Sequence, residues 1–291
     1  MCENLRLVFP QWQGGEPKLI DECVKDFDPK TKAQGYSIGS YLLNFLASKS
    51  ETPTEIVPVS DEFNEDILKT EKEIYAYQIL KKQLEAAFNI LNIRKPKRIV
   101  TFGGECSVSI APFTYLASLY KDDISLIWID AHMDFFIQGD GNIGFHGMPM
   151  SLTLGIGEEE IKKMLPGSID PSNVLLVGLR YFLKSLEERR KSMGIPYISP
   201  EKANESTTEI MDFLHKKGNS KVVIHFDLDS LDPSDLSVCM APEPNGLKVN
   251  TVVKIFQEIS KEYDIVGLTL SEIFPREVIK LRNLVHSIPV F

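Results

Sequence analysis

The sequence predicts an α/β protein whose mostly parallel sheet is covered by helices on both faces. Three observations predict it. Short apolar runs alternate with longer amphipathic stretches along the whole chain. Some runs, such as residues 124–129 (Ile-Ser-Leu-Ile-Trp-Ile), are almost wholly apolar, as suits a strand buried on both faces. Four runs end in polar clusters, at Gly103 to Ser107, Asp130 to Asp134, Asp227 to Asp232 and Glu272. Open α/β sheets gather their ligands at that end of their strands.

Taken in order, residues 5–9 alternate enough for a first strand, and 11–17, with Gly14 and Gly15, read as a loop. Residues 39–48 place Tyr41, Leu42, Phe45 and Leu46 at helical spacing, and 55–59 is a second strand. Over 71–91, Ile74, Tyr77, Leu80, Leu84, Ala87, Phe88 and Leu91 recur at three and four, and Ile79 and Ile90 widen the face. That pattern predicts a long helix, ended by Lys95-Pro96. A strand at 97–102 runs through the Gly103 cluster into a helix reaching Tyr120, with Pro112 near its start. After the 124–129 strand comes a loop over 135–150. Helices at 150–156 and 158–164, a buried strand at 173–178, a charged helix at 181–193 and a short strand at 195–198 follow. A helix at 207–217, a strand at 221–226, a helix at 249–262, a strand at 265–270 and a helix at 276–286 complete the alternation. With no Ser/Gly/Pro-rich linker and no repeat, one domain is expected over residues 1–291.

At 43% hydrophobic and 25% charged, the composition is that of an ordinary soluble globular protein. A net charge of −9 argues against nucleic acid as a partner and accords with a cationic substrate or a metal. The N-terminus lacks a basic region followed by a long apolar one, so no secretory signal is expected. No apolar stretch reaches the roughly 18–20 residues of a membrane span. Cys2, Cys23, Cys106 and Cys239 are scattered without a Cys-x-x-Cys pair, which excludes a zinc knuckle or thioredoxin motif and points to a reducing, cytoplasmic setting.

The chemistry lies at the strand ends. Asp130, His132 and Asp134 occupy every second position after a buried strand, so continued extension would aim all three one way. Asp227 and Asp229 form a second alternating pair. Turn and cap chemistry explains Gly103, Gly104, Ser107 and Asp232, but not these acids. Carboxylates converging at one edge repel unless protonated or bound to cations, and two divalent ions would resolve the conflict. Oxygen-rich ligation with some imidazole suits manganese. His225 is read as supporting or packing, and His215 and His286 as surface or helix-packing residues.

These motifs resemble those of the arginase/agmatinase (ureohydrolase) family, which carries Gly-Gly-Asp-His-Ser, Asp-Ala-His-x-Asp, His-Gly-x-Pro, Asp-x-Asp-x-x-Asp-Pro and Glu-x-x-Pro in that order. Here the corresponding stretches are Gly103-Gly-Glu-Cys-Ser107, Asp130-Ala-His-Met-Asp134, His146-Gly-Met-Pro149, Asp227-Leu-Asp-Ser-Leu-Asp-Pro233 and Glu272-Ile-Phe-Pro275. Residues 241–247 (Ala-Pro-Glu-Pro-Asn-Gly-Leu) are similar to a further family stretch between the last two. The resemblance implies a three-layer α/β/α, arginase-like fold, a two-manganese (Mn2+) site and metal-activated hydroxide attack on the carbon of a small cationic guanidino or amidine substrate. It implies one metal on Cys106, Asp130, Asp134 and Asp227 and a second on His132, Asp130, Asp227 and Asp229. Asp134 would orient the nucleophile and pass a proton, His146 would shuttle protons, and Glu272 would hold the guanidinium. It also implies a homo-oligomer.

Two departures stand out. Cys106 replaces a histidine, and a thiolate is a soft ligand that prefers zinc or iron to manganese. Glu105 replaces the neighbouring aspartate. Cys106 as a thiolate nucleophile is a further reading, but it leaves the acidic cluster unexplained. Gly178-Leu-Arg180 is followed by Tyr181-Phe-Leu183, where arginases carry acids for an α-amino group, so arginine itself is a poor fit. The alternative to a hydrolase is an arginase-like protein with an impaired metal site, serving as a binding or regulatory subunit.

Overall fold

The computed structural model describes residues 3–27 and 34–288; Cys2 lies outside them. Strands β1 (Asn4–Phe9), β2 (Thr54–Ile56), β3 (Arg98–Gly103), β4 (Ile124–Ile129), β5 (Val174–Val177), β6 (Tyr197–Ile198), β7 (Lys221–Asp227) and β8 (Asp264–Ser271) form one sheet in the order β2-β1-β3-β8-β7-β4-β5-β6. Every pairing is parallel. The helices are α1 (Pro17–Cys23), α2 (Gly35–Leu46), α3 (Tyr77–Arg94), α4 (Ile110–Tyr120), α5 (Pro149–Thr153), α6 (Glu159–Lys162), α7 (Lys184–Ser192), α8 (Pro200–Glu205), α9 (Thr208–Lys217), α10 (Val249–Glu262) and α11 (Val278–Ser287).

Strand alternation makes the layers. In β4, Leu126 and Trp128 face a core shared with α3, α4 and α7, whereas Ile127 and Ile129 face a second core shared with α9, α10 and α11. Both cores are closely buried, so the central strands are largely apolar on both sides, as their sequences predict. Each buried Leu, Ile or Phe contributes about 1.5–3 kcal/mol of hydrophobic stabilisation. Because all strands run the same way, the ends of the adjacent central strands β3, β8, β7 and β4 open on one edge.

The structure corrects several boundaries. The helix expected from residue 71 begins at Tyr77. Glu71 and Ile74 instead pair back on each other through both backbone groups, and Ala76 is left-handed at φ 54°. This segment braces the loop before His146: Tyr75 N–H donates to Ile143 O at 2.9 Å, and Gly139 N–H donates to the Glu73 carboxylate at 2.7 Å. The helix expected from residue 181 begins at Lys184 because the Arg180 and Tyr181 N–H groups both donate to Ala131 O, each at 3.0 Å. The short helices α1 and α8 escaped the periodicity reading, although each carries Pro in its first turn, a helix-start signal. No helix among the described residues is long and apolar enough to cross a membrane.

Candidate metal centre and active site

The β3 end is built by close approach. Gly104 N–H donates to Phe9 O at 3.0 Å, and a Cβ on Gly104 would lie 1.7 Å from Gln11 O. Only glycine fits there. Glu105 then turns the chain: its carboxylate accepts the Ser107 N–H at 2.8 Å, the Ser107 hydroxyl at 2.7 Å and the Gln11 amide at 2.7 Å. It is fully buried and serves this turn, which delivers the Cys106 thiol to the strand edge.

The β4 end does not continue as a strand. Regular structure stops at Ile129, and Asp134 is left-handed at φ 49°, so extension is not what aligns Asp130, His132 and Asp134. Asp130 makes the turn itself. One carboxylate oxygen accepts the His132 N–H at 2.7 Å, and the other accepts the Trp128 indole N–H at 2.8 Å. At the β7 end, Asp227 repeats the device, accepting the Asp229 N–H at 2.7 Å, and it takes the Cys106 thiol at 3.0 Å. Asp229 accepts the Ala131 N–H at 3.2 Å and pairs with His132 Nδ1 at 2.8 Å.

Glu272, after β8, is left-handed at φ 63°. Its Oε1 accepts the Cys106 N–H at 3.2 Å, and its Oε2 accepts the hydroxyl of the fully buried Tyr36. Left-handed non-glycine residues cost of order 1–3 kcal/mol each, and here two fall on cavity acids.

The structure brings these ends into two groups. Ligand atoms of Cys106, Asp130, His225 and Asp227 lie within 4.8 Å of one another, as do those of Asp130, His132 and Asp229. Asp134 stands outside both groups, but it lines the same cavity, and its buried Oδ2 has no hydrogen-bond partner. His225, read from sequence as supporting or packing, stands in the first group. The cavity measures about 350 Å³ and is lined at its base by Cys106, His132, Asp134, Asp227, Asp229 and Glu272. His146 is also on its wall, its Nδ1 pinned 2.7 Å from Gly14 O. His215 and His286 sit on α9 and α11 instead, bonded to Glu262 and to Leu46 O.

Electrostatics mark the site as cation-seeking. Burial, reinforced by neighbouring acids, pushes Asp130 up to about 6 and Glu272 to about 8, and raises Asp134, Asp227 and the Cys106 thiol well above their usual ranges. Burial opposes charge on His132, but Asp229 and Asp130 outweigh it and hold the imidazole protonated well above its usual range. Burial lowers His146 and takes His225 down to about 3, so His146 titrates below the 6.5 expected of a shuttle in water. Clustered acids held partly protonated, an unpartnered Asp134 oxygen, two imidazoles and a thiol suit a divalent cation.

Three residues that shape the site carried no sequence signal for it. Tyr36 lies 236 residues from Glu272. Trp128 reads as a core residue, yet its indole holds Asp130. Arg180 spreads its guanidinium over backbone carbonyls of Gly178, Asp229, Ser230, Leu231, Glu243 and Pro244, tying three loops at the cavity rim. Gly178, at φ 91°, makes the turn that sends Arg180 there.

A parallel sheet that collects buried carboxylates, imidazoles and a thiol at its carboxyl edge defines an α/β protein with a candidate divalent-metal centre. The chain belongs to the arginase family, whose family model matches residues 43–280, more than half of the chain. An arginase from Entamoeba histolytica is 23% identical over 198 residues, covering 65% of this chain and 67% of that one. Human arginase-1 is 26% identical over 209 residues, covering 66% and 63%. The matched stretches span between 46% and 73% of the first curated relatives. The fold extends further: the crystal structure of Entamoeba histolytica arginase with L-ornithine superposes with a TM-score of 0.80 at 16% identity, covering 98% of this chain and 95% of that one. Proclavaminate amidino hydrolase from Streptomyces clavuligerus superposes at 0.69 and 16% identity, covering 98% and 89%.

Proposed function

We propose that the protein is a metal-dependent hydrolase of a small guanidino or amidine compound, working as one domain over residues 1–291. The observation that carries the reading is the convergence of Cys106, His132, Asp134, Asp227, Asp229 and Glu272 on one cavity, with Asp130 beside them in both groups of ligand atoms. Asp130, His132 and Asp229 form the oxygen-rich group suited to manganese, and Cys106, Asp130 and Asp227 belong to the other. Bound there, divalent ions supply charge neutralisation and a water acidic enough to attack near neutral pH.

The chain's own groups supply the rest. Glu272 keeps lone pairs beyond those used by Tyr36 and the Cys106 N–H, and these accept from the guanidinium in charge-assisted bonds. The free oxygen of Asp134 takes the proton of the attacking water and passes it to the leaving nitrogen as the C–N bond breaks. His146, pinned at Nδ1 and held neutral by burial, carries protons at Nε2 toward solvent.

The walls bear on the substrate's other end. Leu19, Phe136, Tyr181, Leu183 and Leu186 line the cavity, and Glu243 adds one acid. Such walls favour an apolar or amine tail over an amino-acid head group. The test loads protein purified without chelator with manganese, alone and together with zinc, and measures urea and ammonia release from arginine, agmatine, guanidino acids and alkylguanidines. Release from a compound without an α-amino acid head, with KM raised at least about tenfold in Glu272→Gln, is the expected result. An inert panel with every loading would overturn the hydrolase reading.

A further inference from the structure

We propose that His225 is a metal ligand, completing with Cys106, Asp130 and Asp227 a buried one-thiol, one-imidazole, two-carboxylate site that selects a zinc-type ion over manganese. The proposal rests on the cluster being a metal centre, but not on hydrolysis.

The ring is aimed for the task. Its Nδ1 lies 2.8 Å from the Ser109 hydroxyl, deep in the helix-facing layer. With Nδ1–H donating to Ser109, the Nε2 lone pair faces the cluster, 3.9 Å from Asp130 Oδ2. Trp128 stacks on the imidazole at 3.7 Å between centroids and 11° between planes, which removes its rotational freedom. The same indole donates to Asp130, so a single side chain orients two donors of the group. Ser271 Oγ lies 3.4 Å from both Cys106 Sγ and His225 Nε2, bridging the thiol and the imidazole. All four donor atoms fall within 4.8 Å of one another. Tetrahedral zinc ligation has bonds of about 2.0–2.3 Å, which place donors roughly 3.3–3.8 Å apart, so shifts of about an ångström close the site.

The donor set decides the ion. A thiolate with an imidazole suits zinc and its spectroscopic stand-in cobalt(II), whereas manganese prefers oxygen ligands. The other group, Asp130, His132 and Asp229, has no sulfur. The two halves of the centre therefore differ in preference, and Asp130 is the residue common to both.

Chelator-treated full-length protein is titrated with cobalt(II). The expected result is a near-ultraviolet sulfur-to-cobalt charge-transfer band that saturates at one equivalent, disappears in Cys106→Ser, and needs about 10–100-fold more cobalt in His225→Gln. An unchanged titration in folded His225→Gln would overturn the proposal. Should that variant not fold, zinc X-ray absorption on the His132→Asn/His146→Asn protein carrying one zinc decides the matter. One sulfur with imidazole scattering supports His225, because the two imidazoles lining the cavity are then absent; sulfur without imidazole, or no sulfur, overturns it. A cobalt band in protein inert toward every guanidino compound would sink the hydrolase alone, whereas turnover with an unaltered His225→Gln titration would sink this proposal alone.

Discussion

Stripping divalent ions should leave a protein that loses stability as pH rises from 6.5 to 8. Glu272 carries the effect. Its carboxyl is raised in the folded state to about 8 from 4.5, chiefly by burial. The unfolded chain therefore ionises it first, and the native state binds up to one more proton between those values. Stability present at low pH is lost as pH climbs toward 8. His132, held protonated by Asp229 and Asp130, acts with the same sign above 6.5. His225, lowered to about 3 by burial, acts oppositely, but mainly below its unfolded value of 6.5. Above 6.5 its opposition, and that of His146, which burial also lowers, fades within about a pH unit. One proton corresponds to about 1.4 kcal/mol per pH unit, so Glu272 alone removes about 2 kcal/mol across the window from 6.5 to 8. Urea denaturation of chelated protein at pH 6.5, 7.25 and 8 measures this. Saturating divalent ion should raise stability at each pH and abolish the decline, since ions keep the acids ionised. Chelated protein whose stability stays flat, or rises, across the window would refute the argument that burial holds Glu272 protonated in the folded chain.

Two further outcomes test the supports of the site. Arg180→Ala removes donors from carbonyls of three loops and should lower stability by about 1–3 kcal/mol in urea denaturation, with weaker metal retention after dialysis. Arg180→Lys should recover little of this, because an ammonium cannot reproduce the planar fork. Tyr36→Phe leaves Glu272 Oε2 without its hydroxyl donor inside a buried cluster. The expected cost is about 1–2 kcal/mol in thermal or urea unfolding, with KM for the cleaved guanidino compound rising more than kcat falls.

Strand content was legible because burial on both faces writes itself as uninterrupted Val, Ile and Leu, as in Val174 to Val177. Residues 249–262 were legible as a helix because Val252, Ile255, Phe256 and Ile259 repeat at three and four against the sheet. Residues 71–76 misled for a physical reason: Ile74 is buried at helical spacing, yet its backbone closes on Glu71 and its neighbours hold a distant loop. The acids and imidazole of the site stood out because turns use only some of them: Asp130 and Asp227 each accept a backbone N–H of their own turn, but the remaining acids and His132 exceed what those turns need. His225 did not, because a single polar residue inside an apolar strand looks the same whether it packs or ligates. Tyr36 and Arg180 act on partners far along the chain, and local pattern holds no record of that distance.

The strand order also governs when the site can exist. Strand β8 follows every other strand of the sheet in the chain, yet it inserts at the centre, between β3 and β7. Until it arrives, both of those neighbours present an open edge to whatever is nearby. Cys106 waits 166 residues for Glu272. At about 5–20 residues per second of synthesis, that is roughly ten to thirty seconds during which the thiol lacks its final enclosure. A growing chain of this protein thus passes through a stage in which the Cys106 thiol is open to oxidants and stray metal ions, and the last strand ends that exposure.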